Sequence, residues 1–578
     1  MRLKIIIFYC IIQCFSRQFL TIRRSHIEHR TRGDRARSSA AIARPSPMRY
    51  SKRPYIGHFG WASCLVLVIL GGCATVARKS VDPSKPGRPP VSRAAMPATL
   101  FQSVALLSVV ASGPEQRECG GVLFRFDNGQ LVLDSDFRDR LASRHRMSNL
   151  AVLPTQTIVD EANRVIQCAF PADVTQFSAA KTYEIRRQVA HREGDKLVVS
   201  TVTVESYYVP VQRRFAGLAI YGPKTSAALV LNPSGSVFAA RGGWAVLRVS
   251  GSVNPLPWLH PDIQAAVMNR LRGLDGSPII KSNDLAYYVD AKGEVHVVYR
   301  VDVVVSRAER SGSLHDDHLI LFVDAVRPDQ LVDPNPAEAD APSTPGTCTE
   351  LPKVVGPSFG RYVATASDAD WADDARQFAD AVRGNTQLVD SENFFSQRRL
   401  FVEDKRCFVD FVTIALVEGH GSRWSISMQD SAVLFAVDDS GGYGAPAGRL
   451  RQMILHSCKV IPSPDDVPSQ TEPREWHEPW WRVFDGLRSV VGYRTEMAMN
   501  DGASAAYARK LTRSPLSVVD AWFLAAFEAP AYQNNASPFG RPAVVADCDF
   551  EDDKLSNIVT DADKNRAPTC LVITWAAN

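Results

Sequence analysis

The chain has 578 residues, 66 lysines and arginines against 62 acidic residues, and a formal charge of +4. That surplus sits at the start: residues 1–47 carry +8 and residues 48–72 carry +3, leaving −7 for the remainder. A nucleic-acid partner is therefore not expected, because it needs a clustered basic face, whereas the apolar share of 45% is ordinary for globular protein and the length allows two or three domains.

Residues 1–47 contain one apolar stretch, from Ile5 to Ile12. It is too short to cross a bilayer, which takes roughly 20 residues. Met48 opens a second pattern: Arg49, Lys52 and Arg53, then the apolar run Trp61 to Leu70, then Gly71, Gly72 and Cys73. A basic segment, an apolar segment and small residues in that order read as a signal peptide over 48–72. Met48 then offers an alternative start, with 1–47 an upstream extension. Leu70-Gly71-Gly72-Cys73 resembles the lipobox of bacterial lipoproteins. The resemblance implies a diacylglycerol on the Cys73 thiol and a membrane partner through that anchor; the competing reading is a plain membrane anchor or a chance apolar run. Each buried methylene of an acyl chain adds about 0.8 kcal/mol of membrane affinity. In lipoproteins, Ala74 after the cysteine goes with outer-membrane sorting, which implies a place in the cell envelope.

Seven of the eleven cysteines follow Cys73. An exported protein meets an oxidising compartment, and an odd number leaves at least one thiol free or paired between chains. Cys119 with Cys168, and Cys548 with Cys570, are candidate bridges by proximity, but spacing alone leaves the connectivity open.

Residues 73–98 are rich in Pro, Lys, Arg and Ser and read as a tether. An α+β, strand-rich region is expected over 99–326. Its strand-like runs include Lys196–Val209, Ala228–Leu231 and Trp244–Val249. Pro261 suits the first turn of a helix that places Ile263, Val267 and Leu271 on one face. Strands at Leu285–Val289, Val295–Val305 and Leu319–Val326 follow. This order, closing on Val323-Asp324-Ala325, resembles the propeptide-like modules ahead of secreted peptidases, which implies a masking or chaperoning role; the alternative is a generic module that spaces the second half. Residues 327–352 read as a linker.

The last region, 353–578, is expected to be an α/β domain with a mostly parallel sheet. Asp368 can cap a helix with Trp371, Ala375, Phe378, Ala379 and Val382 on its apolar face. Phe408–Val417 and Leu450–Leu455 read as strands buried on both faces. Trp480–Val491 and Ser517–Phe527 read as helices, the second with a capping-box-like Ser517 and Asp520. His420 and Cys458 fall just past the ends of the two buried strands, where sites form in open parallel sheets. A cysteine with a neighbouring histidine can attack a carbonyl and protonate the leaving amine.

His420-Gly421 after one buried strand and Ser457-Cys458 after another resemble the dyad of the caspase, legumain and gingipain cysteine peptidases. The resemblance implies a caspase-like fold, a peptide or protein substrate, Cys458 as nucleophile, His420 as acid and base, and Gly421 near the oxyanion. Asp370-Trp371-Ala372-Asp373-Asp374, Gly419-His420-Gly421-Ser422, Phe484-Asp485-Gly486-Leu487 and Asp520-Ala521-Trp522-Phe523 resemble a bacterial domain family of unknown function. A non-catalytic envelope-binding protein on the same scaffold is the rival expectation, as is an amidase or transpeptidase acting on cell-wall peptides.

No cofactor or metal is expected. The residue four beyond His477 is Trp481, so the zinc-protease spacing fails. Asp549, Glu551, Asp552 and Asp553 read as a solvated acidic loop rather than a calcium site. His456, on the opposite strand face from Ser457, is expected to be structural. Trp424, Trp476, Trp480 and Trp481 could line a groove or form an apolar cluster.

Overall fold

A computed structural model describes residues 103–577 with interior gaps, the longest at 134–150 and 333–357. The signal-peptide segment, Cys73 and the tether lie outside the described residues, as does Asp368. No helix among the described residues is long and apolar enough to cross a membrane.

Helix α1 (Thr155–Ala169) buries Ile158, Ala162, Val165, Ile166 and Ala169 along one stripe. Strand β1 (Tyr183–Glu193) pairs antiparallel with β2 (Thr203–Phe215). Helix α2 (Pro261–Leu271) begins on its proline and buries Ile263, Val267 and Leu271. Three long strands follow as an antiparallel meander: β3 (Ser277–Val289), β4 (Val295–Ala308) and β5 (Leu314–Asp324). The β3–β4 turn closes through the Asp290 amide on the Glu294 carbonyl, with Gly293 at φ 92°.

In the second half, β6 (Ser358–Val363) is followed by α3 (Ala369–Arg383), whose Trp371, Ala375, Phe378, Ala379 and Val382 are buried. Then come β7 (Val389–Asn393), β8 (Ile414–Glu418), β9 (Gln452–His456) and β10 (Ser489–Tyr493). Helices α4 (Ala503–Arg513) and α5 (Val518–Glu528) precede β11 (Pro542–Asp547) and β12 (Cys570–Ala576). The Ser517 hydroxyl accepts the Asp520 amide at the start of α5.

The sheet corrects the expected fold class. Strands β7, β6, β8, β9 and β10 run parallel in that order. Beyond β10 the direction reverses: β11 and β12 are antiparallel, and β12 pairs antiparallel with β1 of the first half. The sheet is therefore mixed and continuous with the antiparallel strands of the N-terminal region, not a mostly parallel caspase-like α/β sheet. The reason is physical. A fully buried apolar strand shows that both faces are covered, but its direction is not written in its composition.

Two further expectations change. Only Ile414–Glu418 of the apolar run after Phe408 is strand; Asp410 interrupts it, accepting the Gly444 amide at 2.8 Å. The helix expected over Trp480–Val491 stops at Val483. Gly486 then turns the chain with φ 98°, and the buried β-branched pair Val490 and Val491 belongs to β10.

Candidate active site

Strands β8 and β9 end side by side, with Glu418 the register partner of His456. Two residues beyond the end of each strand stand His420 and Cys458. Trp371 of α3 packs against both histidines: its ring lies 5.6 Å from the His456 ring and 6.2 Å from the His420 ring, nearly perpendicular to both. Gly421 packs directly on the Cys458 strand end. A Cβ there would stand 2.1 Å from Ser457 Oγ and 2.5 Å from the Cys458 carbonyl oxygen, so no side chain fits. Ser457 Oγ donates to the Gly419 carbonyl at 2.7 Å and pins the loop from the other side.

Below these residues lies a fully buried charged cluster. His456 Nδ1 is 3.2 Å from Glu418 Oε1 and 3.7 Å from Asp374 Oδ2, and its Nε2 is 3.0 Å from Asp501 Oδ1. Asp501 also accepts the Ala503 amide at 2.7 Å and the hydroxyls of Tyr493 at 2.7 Å and Tyr532 at 2.8 Å. Burial alone would strip His456 of its proton, but Asp501 and Glu418 outweigh it and hold the imidazole well above its ordinary pKa. The same burial pushes the Glu418 carboxyl up, whereas His456 and its hydrogen bonds keep Asp501 low. The cluster thus stores an imidazolium between carboxylates and ties β8, β9, α3 and the start of α4 together.

Cys458 is the free cysteine among the described residues, because Cys119–Cys168 and Cys548–Cys570 are bridged and Cys407 is also disulfide-bonded. The residue is buried, 6% exposed. The Met497 amide donates to Sγ at 3.4 Å. Burial, with the Asp317 and Glu496 carboxylates adding to it, pushes the thiol up to about 12. Burial at this position thus disfavours the thiolate.

The first half of the chain reaches the same place. Asp317 of β5 sets its Oδ1 2.8 Å from His420 Nδ1. The segment 496–501 joins the two: Met499 donates its amide to the His318 carbonyl at 3.0 Å, Asn500 bonds both backbone groups of Ile320, and Glu496 lies 3.6 Å from His318 and 2.6 Å from Lys459. The same segment gives Met497 to Cys458 and Asp501 to His456.

Asp317 and Asp501 were not singled out from the sequence. Asp317 had one visible cue: it shares strand parity with Leu319, Leu321 and Val323, all buried, so a carboxylate sits on an apolar face. Among residues that were singled out, Trp424, Trp476 and Trp480 are buried core, not groove. The acidic loop is not simply solvated either, since Glu551 pairs with Arg187 and Asp553 with Arg488, each at 2.8 Å.

No curated protein matches the chain. Two solved structures resemble parts of it: an uncharacterised protein from Eubacterium rectale (10% identity, 37% of this chain, 74% of that one, TM-score 0.21) and the Bacillus megaterium YpeB C-terminal domain (11%, 38%, 84%, TM-score 0.19). Scores this low carry no argument about fold or function. Residues 384–561, which hold His420, Cys458, Glu418, His456 and Asp501 but not Asp374, match a domain of unknown function, DUF6345.

Proposed function

We propose that the chain is an exported protein, anchored through lipid on Cys73, whose second half carries a thiol–imidazole site for hydrolysing peptide bonds. The observation behind this reading is that Cys458, a free thiol, and His420 each follow by two residues the ends of two adjacent parallel strands, while the other described cysteines are bridged. Cys458 attacks the carbonyl carbon, His420 takes the thiol proton and returns it to the leaving amine, and water then releases the acyl group from sulfur. The chemistry is that of the cysteine peptidases the motifs resemble; their fold is not part of the proposal. The closed state must open at the Met497 contact before a substrate reaches Sγ. A second reading, a non-catalytic envelope-binding protein, is favoured by the burial of Cys458 and the high pKa of its thiol.

The test is alkylation of the native, non-reduced full chain with a peptide bearing a thiol-directed warhead, followed by mapping of the modified residue. Modification of Cys458 that slows sharply in His420→Ala supports a thiol–imidazole site. Labelling of Cys458 at equal rates with and without His420 rejects it in favour of the binding protein.

A further inference from the structure

We infer that Asp317 is the positioning residue for His420, so that the N-terminal half completes the site of the C-terminal half instead of merely covering it; this rests on the thiol–imidazole reading above. The contact is specific. Asp317 Oδ1 lies 2.8 Å from His420 Nδ1, with the carboxylate almost fully buried and the imidazole half-buried. A carboxylate withdrawn from water at such a point is costly unless a partner compensates it.

The carboxylate fixes the chemistry of the ring. At ion-pair distance from Nδ1, it favours the tautomer with the proton on that nitrogen. Nε2 is thereby left as the proton acceptor. The Trp371 ring, perpendicular to His420, restrains the plane from a second side. Two contacts from two halves of the chain thus define where the imidazole points.

The delivery of Asp317 is equally specific. Strand β5 is held to β4 through eleven consecutive register pairs from Leu314 to Asp324, without a bulge. The next residues, His318 and Ile320, are hydrogen-bonded to Met499 and Asn500. His318 also forms a parallel bridge with Ala498, one residue from the Met497 amide that touches Cys458 Sγ. A shift of β5 by one residue would turn Asp317 to the opposite face. A detachable mask needs none of this register.

The experiment uses the full chain and the variants Asp317→Asn, Asp317→Glu, Asp317→Ala and His420→Ala. Nitrogen-15 histidine NMR, with the His420 signal assigned by its loss in His420→Ala, reads the tautomer; alkylation of Cys458 across pH reads the reactivity. The expected result is a proton on His420 Nδ1 in the parent chain, a shifted tautomer balance in Asp317→Asn, and a fall of roughly ten-fold or more in the His420-dependent alkylation rate. Asp317→Glu should restore part of both readouts, and Asp317→Ala neither. A His420 signal with Nδ1 bare in the parent chain overturns the inference. So does an alkylation rate that depends on His420 but is unchanged in Asp317→Asn, an outcome that leaves the thiol–imidazole reading standing. An alkylation rate indifferent to His420 removes that reading and the inference with it.

Discussion

Glu418 and His456, 38 residues apart in the chain, meet as register partners at the ends of adjacent parallel strands, with Oε1 and Nδ1 3.2 Å apart in a fully buried site. The candidate dyad stands one sheet repeat beyond them. The floor of the site is therefore a charged pair whose loss should be felt in stability before it is felt in chemistry.

His456→Gln removes the cation between Glu418 and Asp501 and leaves buried carboxylates uncompensated, which costs about 3–5 kcal/mol. Urea unfolding followed by tryptophan fluorescence measures it. A loss under about 1 kcal/mol would show that the carboxylates are neutral or hydrated, contrary to the buried-pair argument. Because the folded imidazole is held well above its ordinary value, its stabilisation is fully present below that ordinary value and is lost as pH rises from there through the raised one.

Glu496 gives the opposite sign. Its contact with His318, 3.6 Å away, is the largest cause of a shift to about 2, with Lys459 adding to it. The stabilisation is present above the ordinary glutamate value and is lost as pH falls from there toward about 2. The side chain is a third exposed, so solvent screening reduces the size of the effect. Glu496→Gln should flatten the acid limb of a melting-temperature series relative to the parent chain, and superimposable acid limbs would refute the assignment.

The Cys548–Cys570 bridge closes a 22-residue separation between the end of β11 and the first residue of β12. Chain entropy assigns such a loop about 3 kcal/mol. The double variant Cys548→Ser, Cys570→Ser should lose about that much in denaturant unfolding, whereas an unchanged midpoint would mean that strand pairing alone holds β12.

A protease site inserted between Pro345 and Gly346 should cut the chain without separating the halves. Seven register pairs join β12 to β1, and Arg187 with Glu551 and Trp476 with Gln188 cross the same boundary. Size-exclusion chromatography of the nicked, non-reduced protein should give one peak containing both fragments. Two peaks in native buffer would contradict the continuous sheet.

Local signals in the sequence carried far. Pro261 marked α2 and Ser517 marked α5, because caps and 3.6-residue periodicity act within a few residues. The ends of β8 and β9 were legible as turns after apolar runs, and with them the neighbourhood of His420 and Cys458. What failed was non-local. The direction of β11 and β12 depends on connections, not on their Val-rich composition; separately, the apolar spacing after Val483 reads as helix, but Gly486 redirects the chain there. Asp317, Asp374 and Asp501 converge on the site from three elements far apart in the chain, and no spacing rule joins them.

The pairing of β1 with β12 also orders events during synthesis. Residues 183–193 pair with β2 nearby in sequence on one side, but their partner on the other side is residues 570–576, nearly 400 positions further along. That edge of β1 stays open until β12 is made, and closing so long a loop slows the pairing. Truncation anywhere before β12 would therefore leave an unpaired strand edge in the first half of the protein, open to pairing with another chain.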